Sequence, residues 1–403
     1  MDFDLTPEQE MLRDTVRDVL ERAYTPERRT EIVATELGWD PQIWRTFAEI
    51  GLLGLTFAEE DGGMGAGPIE AMLVLTELGR RLAPEPLLDC ALLPGGLIAR
   101  AGTDTQRKDL LPRIAEGDLR PVFAHGEPGV RWPATELTTR AVRTATGWNL
   151  TGAKHPVSHG DSADLLIVSA ALPVGSFQEA GTEPAAAYPD LLEEAGPGHP
   201  GGVAAGLFLV DPAAAGVRRT DYLGHDGVRG ATIEFDGVAA ELLGEPKDAA
   251  EIVTAAVAGA QAALCAEAIG AMEESLRLTT EYLKTRKQFG VPLRAFQTLT
   301  QRAADMYVSL ELARGMSMYA SMSLADGVAD PVVASRAKLR IGRSARHIGQ
   351  EAIQMHGGIG MTAEYPVGHY TARLTAIEHS LGDSSDHLRY LGRTVGDHQM
   401  VEI

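Results

Sequence analysis

Arg286, in the run Thr285-Arg286-Lys287-Gln288-Phe289-Gly290, carries a guanidinium of the kind that pairs with phosphate oxygens. Upstream, Ala255 to Leu283 contains no proline and many small apolar residues, the composition of one long helix packed closely on its neighbours. Arg286 and Lys287 would then sit in its last turn, where cations suit the helix dipole, with Gly290 as the C-cap. Taken alone, Arg286 reads as a capping charge and Gln297 as a surface amide. A second stretch, Gln354-Met355-His356-Gly357-Gly358-Ile359-Gly360, changes the balance because it also ends a helix in a glycine turn. A guanidinium, several amides and bare glycine backbone on two helix ends suit the grip of a diphosphate.

Three blocks must position these groups. Thr6-Pro7-Glu8-Gln9 opens a helix with a capping box, and Leu12, Val16, Val19 and Leu20 recur at helical spacing. Trp44, Phe47 and Ala48 mark another helix, and two more run from about Ile69 to Arg81 and Thr105 to Ala115. Between them, Gly62-Gly63-Met64-Gly65 suggests a dinucleotide fingerprint but fails it, because the last required glycine is Pro68. From about Gly117 the pattern turns strand-like, with short runs at 120–124, 141–144, 148–151, 164–170, 206–210 and 232–235. Turns such as Glu127-Pro128-Gly129 and Asp236-Gly237 separate them. Residues 173–205, rich in Gly, Pro, Ala and Glu, read as a loop insertion. Helices return after Pro246. Leu299, Ala303, Met306, Leu310 and Ala313 form one stripe, and Val332 to Met355 forms a further helix on which Lys338, Arg340, Arg343 and Arg346 read as a solvated basic face. The expected domains are 1–117, 118–244 and 245–403.

Composition narrows the field. With 403 residues, 44% of them hydrophobic, the chain can build a large core. A formal net charge of −20 and no basic run argue against nucleic acid as a partner. Cys90 and Cys265 lie in apolar surroundings and read as free buried thiols in a reducing cytoplasm. The acidic start Met1-Asp2-Phe3-Asp4 is not a signal peptide, and no apolar run is read as membrane-spanning. His155 and His159 are four apart, but in a strand-and-turn context they would not converge on one metal ion.

The two glycine-turn stretches, at this spacing, resemble the acyl-CoA dehydrogenase family. Its arginine-x-x-phenylalanine-glycine turn and downstream glutamine match Arg286, Phe289, Gly290 and Gln297. Its glutamine-x-x-glycine-glycine turn and following glutamate-tyrosine-proline match Gln354, Gly357, Gly358, Glu364, Tyr365 and Pro366. The resemblance covers nearly the whole chain. It implies an α+β multidomain fold: an N-terminal helical domain, a middle β-domain and a C-terminal four-helix bundle. It also implies FAD as cofactor and an acyl-CoA thioester as substrate, desaturated when a carboxylate removes the α proton and the β hydride passes to the flavin. Each FAD in the family is shared, with one subunit binding the flavin ring and the neighbour reaching across with the arginine and double-glycine turns.

The reaching-across set, Arg286, Phe289, Gln297, Gln354, Gly357 and Gly358, is intact. In the ring-binding loop the family's threonine is Gly126, and its alanine-glycine-serine end is replaced by Val130-Arg131-Trp132. Ser158 is a possible flavin donor, whereas Pro156 offers no aromatic face. The two usual positions of the catalytic glutamate are Leu381 and Ala260, and neither can take a proton. Glu378 and Asp383 read as surface charges, and His379 and His387 as exposed or satisfied histidines. His356 suits an FAD or structural role. The tail looks closest to the small subunits of heteromeric bacterial enzymes, such as the pimeloyl-CoA dehydrogenase small subunit. By resemblance the chain would therefore work beside a homologous catalytic subunit, two copies of each. A self-sufficient homotetramer with a displaced base, a non-catalytic scaffold and a flavin monooxygenase are the alternatives.

Overall fold

The computed structural model describes residues 5–130, 137–145, 147–172, 204–245, 247–394 and 396. Most of the 173–205 insertion, and Arg131 and Trp132 of the ring-binding loop, lie outside the described residues. Six helices come first: α1 (Pro7–Ala23), α2 (Pro26–Val33), α3 (Pro41–Glu49), α4 (Pro68–Arg81), α5 (Leu93–Ala101) and α6 (Asp104–Ala115). The capping box on α1 is formed by Thr6 and Gln9. Leu52, Leu53 and Leu55 are buried in turns rather than in a strand, so no dinucleotide-binding βα unit forms there. A π-helical turn at Leu88–Leu92 feeds α5 and was not foreseen.

Seven strands follow: β1 (Pro121–Ala124), β2 (Arg140–Arg143), β3 (Trp148–Ser158), β4 (Leu165–Leu172), β5 (Ala204–Val210), β6 (Val217–Leu223) and β7 (Arg229–Leu242). The pairings β2–β3, β3–β7, β7–β5, β5–β4 and β4–β2 close a small ring. β1 adds to it parallel to β4, and β6 antiparallel to β7. The Asp236-Gly237 pair does not end a strand. It is a bulge within β7 opposite Thr151, where the register shifts, Gly237 takes φ +62° and its N–H donates to the Thr151 hydroxyl at 3.2 Å. β6 escapes the sequence pattern because Val217–Leu223 is a largely exposed edge strand with charged side chains.

The third block holds α7 (Ala250–Thr285), a hairpin of β8 (Lys287–Gln288) and β9 (Val291–Pro292), then α8 (Gln297–Ala325), α9 (Pro331–His356), α10 (Val367–His379) and α11 (Ser384–Thr394). α7 to α10 pack on one another and α11 packs on α9. With 36 residues, α7 is long and apolar enough to cross a membrane, contrary to the sequence reading, but 67% of its most apolar stretch is buried inside this protein. It is a core helix, apolar around much of its circumference. It also crosses α4 closely. A Cβ on Gly79 would lie 1.9 Å from the Glu267 carbonyl oxygen, and one on Gly270 would lie 1.8 Å from that of Thr76. Both positions need glycine because two backbones meet there.

Burial also sets a pH response in the first block. Glu85 accepts hydrogen bonds from the Tyr24 hydroxyl and from the Asp40 N–H at 3.3 Å. Burial pushes its carboxyl up to about 7, against the pull of those donors. A folded-state value above the unfolded one means that Glu85 stabilises the fold fully below about 4.5, and that this contribution is lost as pH rises through about 7. Glu85→Gln should therefore flatten the fall in melting temperature across that window. An unchanged pH profile would show that Glu85 titrates normally.

Candidate active site

The carboxyl end of α7 does not end as expected. Thr285 is its last residue and Arg286 is already extended (φ −70°, ψ 129°). Gly290 is not a helix cap. It pairs with Phe289 as the two-residue loop of the β8–β9 hairpin, at φ +81° and +52°. Positive φ is uncommon for a bulky residue and marks local strain. Phe289 is 92% exposed, which rules out a core role within this chain; its nearest ring is Phe296 at 6.2 Å.

The second stretch is brought beside the first by three rings. Tyr282 stands 4.5 Å from His356 and 6.3 Å from Tyr365, and His356 stands 4.9 Å from Tyr365. His356 is buried, with Nδ1 2.8 Å from the Ala352 carbonyl, and its ring packs against the other two. Gly357 adopts φ 63°, ψ −141°, a region open essentially to glycine alone. A Cβ on Gly357 or Gly358 would meet nothing within 4 Å, so bare backbone faces open space. Arg286, Gln297 and Gln354 are likewise exposed. Among the described residues, no side chain pairs with the Arg286 guanidinium.

None of these six residues lines the main cavity. That cavity, about 810 Å³, lies between the β-domain, the π-helical turn, α7 and α10. Its wall includes Ser158, Gly126, Pro156, Ala260, Leu381 and Asp89. The two positions expected to lack a base therefore do face one space. Leu381 is held at φ +54° in the turn after α10, where the Gln261 amide donates to its carbonyl at 2.9 Å.

Of the polar residues near Leu381, His379, Asp383 and Asp386 line this cavity, whereas Glu378 and His387 do not. Glu378 is not a surface charge. It is buried and accepts from Arg346 and the Ser384 N–H, both at 3.1 Å. Nor is Lys338 part of a solvated face: it is buried and donates to the Ile377 carbonyl at 2.5 Å, and burial pushes its pKa down to about 8. Arg343 and Arg346 are exposed. Asp383 caps α11, accepting from the Ser385 and Asp386 N–H groups at 2.8 Å. Burial raises its pKa, but these bonds outweigh burial and leave the carboxyl below its ordinary value. His387 is fully buried, and burial, reinforced by Lys338, pushes it down to about 4. It is neutral near pH 7.

Under the ring-binding loop lies a buried ion pair. The Lys154 ammonium donates to Glu127 at 2.5 Å, the His125 carbonyl at 3.2 Å and Ser169 at 3.3 Å. Thr138 and the Thr139 N–H complete the Glu127 carboxylate at 2.6 and 3.2 Å. Burial opposes the ionised form of Glu127, but Lys154 overcomes it and holds the carboxyl below its usual value. His155 and His159 turn to different partners, Thr232 at 2.9 Å and Asp89 at 3.9 Å. Sequence reasoning passed over Asp89; its signal is a single acid within the apolar run Leu87 to Leu93.

The chain belongs to the acyl-CoA dehydrogenase family: the family models for the acyl-CoA dehydrogenase N-terminal and C-terminal domains match residues 6–118 and 250–396. Members are FAD-dependent oxidoreductases acting on the CH–CH bond of acyl-CoA thioesters. Among curated relatives, acyl-CoA dehydrogenase FadE27 of Mycobacterium tuberculosis is 27% identical, covering 98% of this chain and 99% of its own. Among solved structures, a Tcur3481-Tcur3483 steroid ACAD variant is 31% identical with a TM-score of 0.83, covering 97% of this chain and 98% of that one. The ChsE4-ChsE5 complex from Mycobacterium tuberculosis is 26% identical with a TM-score of 0.84, covering 99% of this chain and 100% of that one.

Proposed function

We propose that this chain is one subunit of a heteromeric acyl-CoA dehydrogenase and lends half of a flavin site to a homologous catalytic partner, two copies of each. One observation carries the reading. Arg286, Phe289, Gln297, Gln354, Gly357 and Gly358 form an exposed end that turns away from the chain's own cavity, and that cavity presents Leu381 and Ala260 where the family's base stands. Two of the similar structures carry two-component names, which supports the same reading.

FAD fits the groups available. An exposed guanidinium and bare glycine backbone suit its diphosphate, and an exposed phenylalanine suits its adenine. In the chain's own cavity, Ser158 is the candidate donor to the ring, and the volume is ample for an acyl group. Bound FAD supplies the hydride acceptor. This chain's part is to orient it through Arg286 and the glycine turns, and to hold an acyl-CoA between α7 and the π-helical turn. The organisation assigned is an N-terminal helical domain over 1–117, a β-domain over 118–244 and a helical bundle over 245–403. A role in lipid degradation follows from the reaction, and the two free buried thiols suit a reducing cytoplasm.

Flavin absorbance and native mass of the purified chain test this, measured alone and after co-expression with a homologous subunit. A colourless chain that becomes a yellow two-plus-two tetramer with the partner is the expected result. A yellow homotetramer whose flavin bleaches with acyl-CoA would overturn the heteromeric reading.

A further inference from the structure

One side chain in the wall of the main cavity is only half engaged. His125 directly follows β1, is 6% exposed, and lines the cavity beside Phe123, Gly126 and Ser158. The Phe123 ring stacks on it, with centroids 5.1 Å apart and planes within 7° of parallel, which fixes the plane of the imidazole. Nδ1 lies 2.9 Å from the Ser169 hydroxyl. Nε2 has no partner among the described residues. An unpaired nitrogen on so buried a ring is costly unless something in the cavity meets it.

The groups behind the ring settle which hydrogen that nitrogen carries. Lys154 lies 3.3 Å from the Ser169 hydroxyl oxygen, and an ammonium can only donate. Ser169 is fully buried, and among the described residues the acceptor for its own hydrogen is His125 Nδ1. Nδ1 therefore accepts, and the hydrogen of a neutral ring sits on Nε2. The opposite tautomer would strand the Ser169 hydrogen in the core. The ring is neutral near pH 7, because burial, reinforced by Lys154, pushes its pKa down to about 3. The relay from Lys154 through Ser169 thus ends in one fixed, uncharged N–H at the cavity wall.

The neighbouring position offers no such group. A Cβ on Gly126 would lie 2.8 Å from the His155 carbonyl oxygen, so no side chain fits where the family's threonine stands. The Lys154–Glu127 pair behind His125 carries no net charge to draw an anion, and a neutral N–H suits a carbonyl oxygen. We propose that the Nε2–H of His125 donates to a carbonyl oxygen of the ligand held in this chain's own cavity, with Ser169 and Lys154 positioning it by fixing its tautomer. Two sources supply such an oxygen, the flavin ring and the acyl thioester. The proposal rests on the reading that these groups occupy the cavity.

Equilibrium binding to the assembled protein tests it with three probes: FAD, octanoyl-CoA, and the S-octyl thioether of CoA, which lacks the carbonyl. His125→Leu should weaken either FAD or octanoyl-CoA by about threefold to tenfold, the range for one neutral hydrogen bond, and leave the other unchanged. A loss confined to FAD assigns the flavin ring as the acceptor. A loss for octanoyl-CoA that the thioether does not share assigns the thioester. His125→Gln keeps an N–H donor and should recover most of the loss, and Ser169→Ala should lower the same affinity to a lesser degree. Equal losses in His125→Leu and His125→Gln, or equal weakening of all three probes, would overturn the proposal in favour of packing alone. Unchanged binding of both FAD and octanoyl-CoA in His125→Leu would overturn it while leaving the cavity reading intact. Failure of the parent protein to bind any of the three would overturn that reading and the proposal together.

Discussion

Arg286→Ala is expected to lower the FAD affinity of the assembled enzyme by about tenfold to a hundredfold, the range for losing charge-assisted hydrogen bonds to phosphate. The guanidinium is exposed and has no partner among the described residues, so its removal leaves no orphaned group behind. The melting temperature of the chain alone should therefore stay within about 1 °C, as for other surface substitutions. Arg286→Lys should fall between, because an ammonium keeps the charge and loses the fork. Flavin-to-protein absorbance ratios after gel filtration read all three proteins. Undiminished FAD in Arg286→Ala would sink the assignment of this end to a flavin.

Lys154→Met should destabilise the chain by about 3–5 kcal/mol, because it removes one partner of a fully buried ion pair and leaves the other. Burial would then act on Glu127 against only the Thr138 hydroxyl and the Thr139 N–H, and its carboxyl would rise from its present depressed value. The His125 carbonyl would also lose its donor. Lys154→Met combined with Glu127→Leu should recover most of the loss, since a matched apolar pair leaves no buried charge. Urea unfolding of the three proteins measures both effects. A single variant within about 1 kcal/mol of the parent would show that water reaches this pair. The consequence is local too: Glu127 and His125 both line the cavity, so the pair holds the ring-binding wall in shape.

Much of this was legible in residue order because it depended on local pattern. The stripe from Leu299 to Ala313, the capping box at Thr6 and the long helix ending near Arg286 all rest on spacing alone. What escaped depended on neighbours distant in sequence. Gly290 follows a helix, as a cap does, but only the pairing of Lys287 with Pro292 makes it a hairpin residue. Asp236-Gly237 carries turn residues, yet β3 and β6 run alongside and keep the strand going through a bulge. Lys338 and Glu378 looked solvated because charge usually is. α10 brings the carbonyl of Ile377 to one, and α9 brings Arg346 to the other. Asp89 lies between the two helices expected over 69–81 and 105–115, in a stretch given no element where a π-turn and α5 in fact form.

The contact of Gly79 and Gly270 with opposing backbone does more than bring α4 and α7 together. It pins α7 lengthwise, so the helix cannot slide past its neighbour. Ala260 lies on that rod and Arg286 directly follows its last residue, Thr285, which stands about 38 Å from Ala260 at 1.5 Å per residue. The rod acts as a ruler between the chain's own cavity and its outward-facing arginine. Inserting one residue between Gly270 and Arg286 would leave the cavity intact, yet swing the guanidinium about 100° around the axis. The length of α7 is therefore part of the site, as binding as any side chain on it.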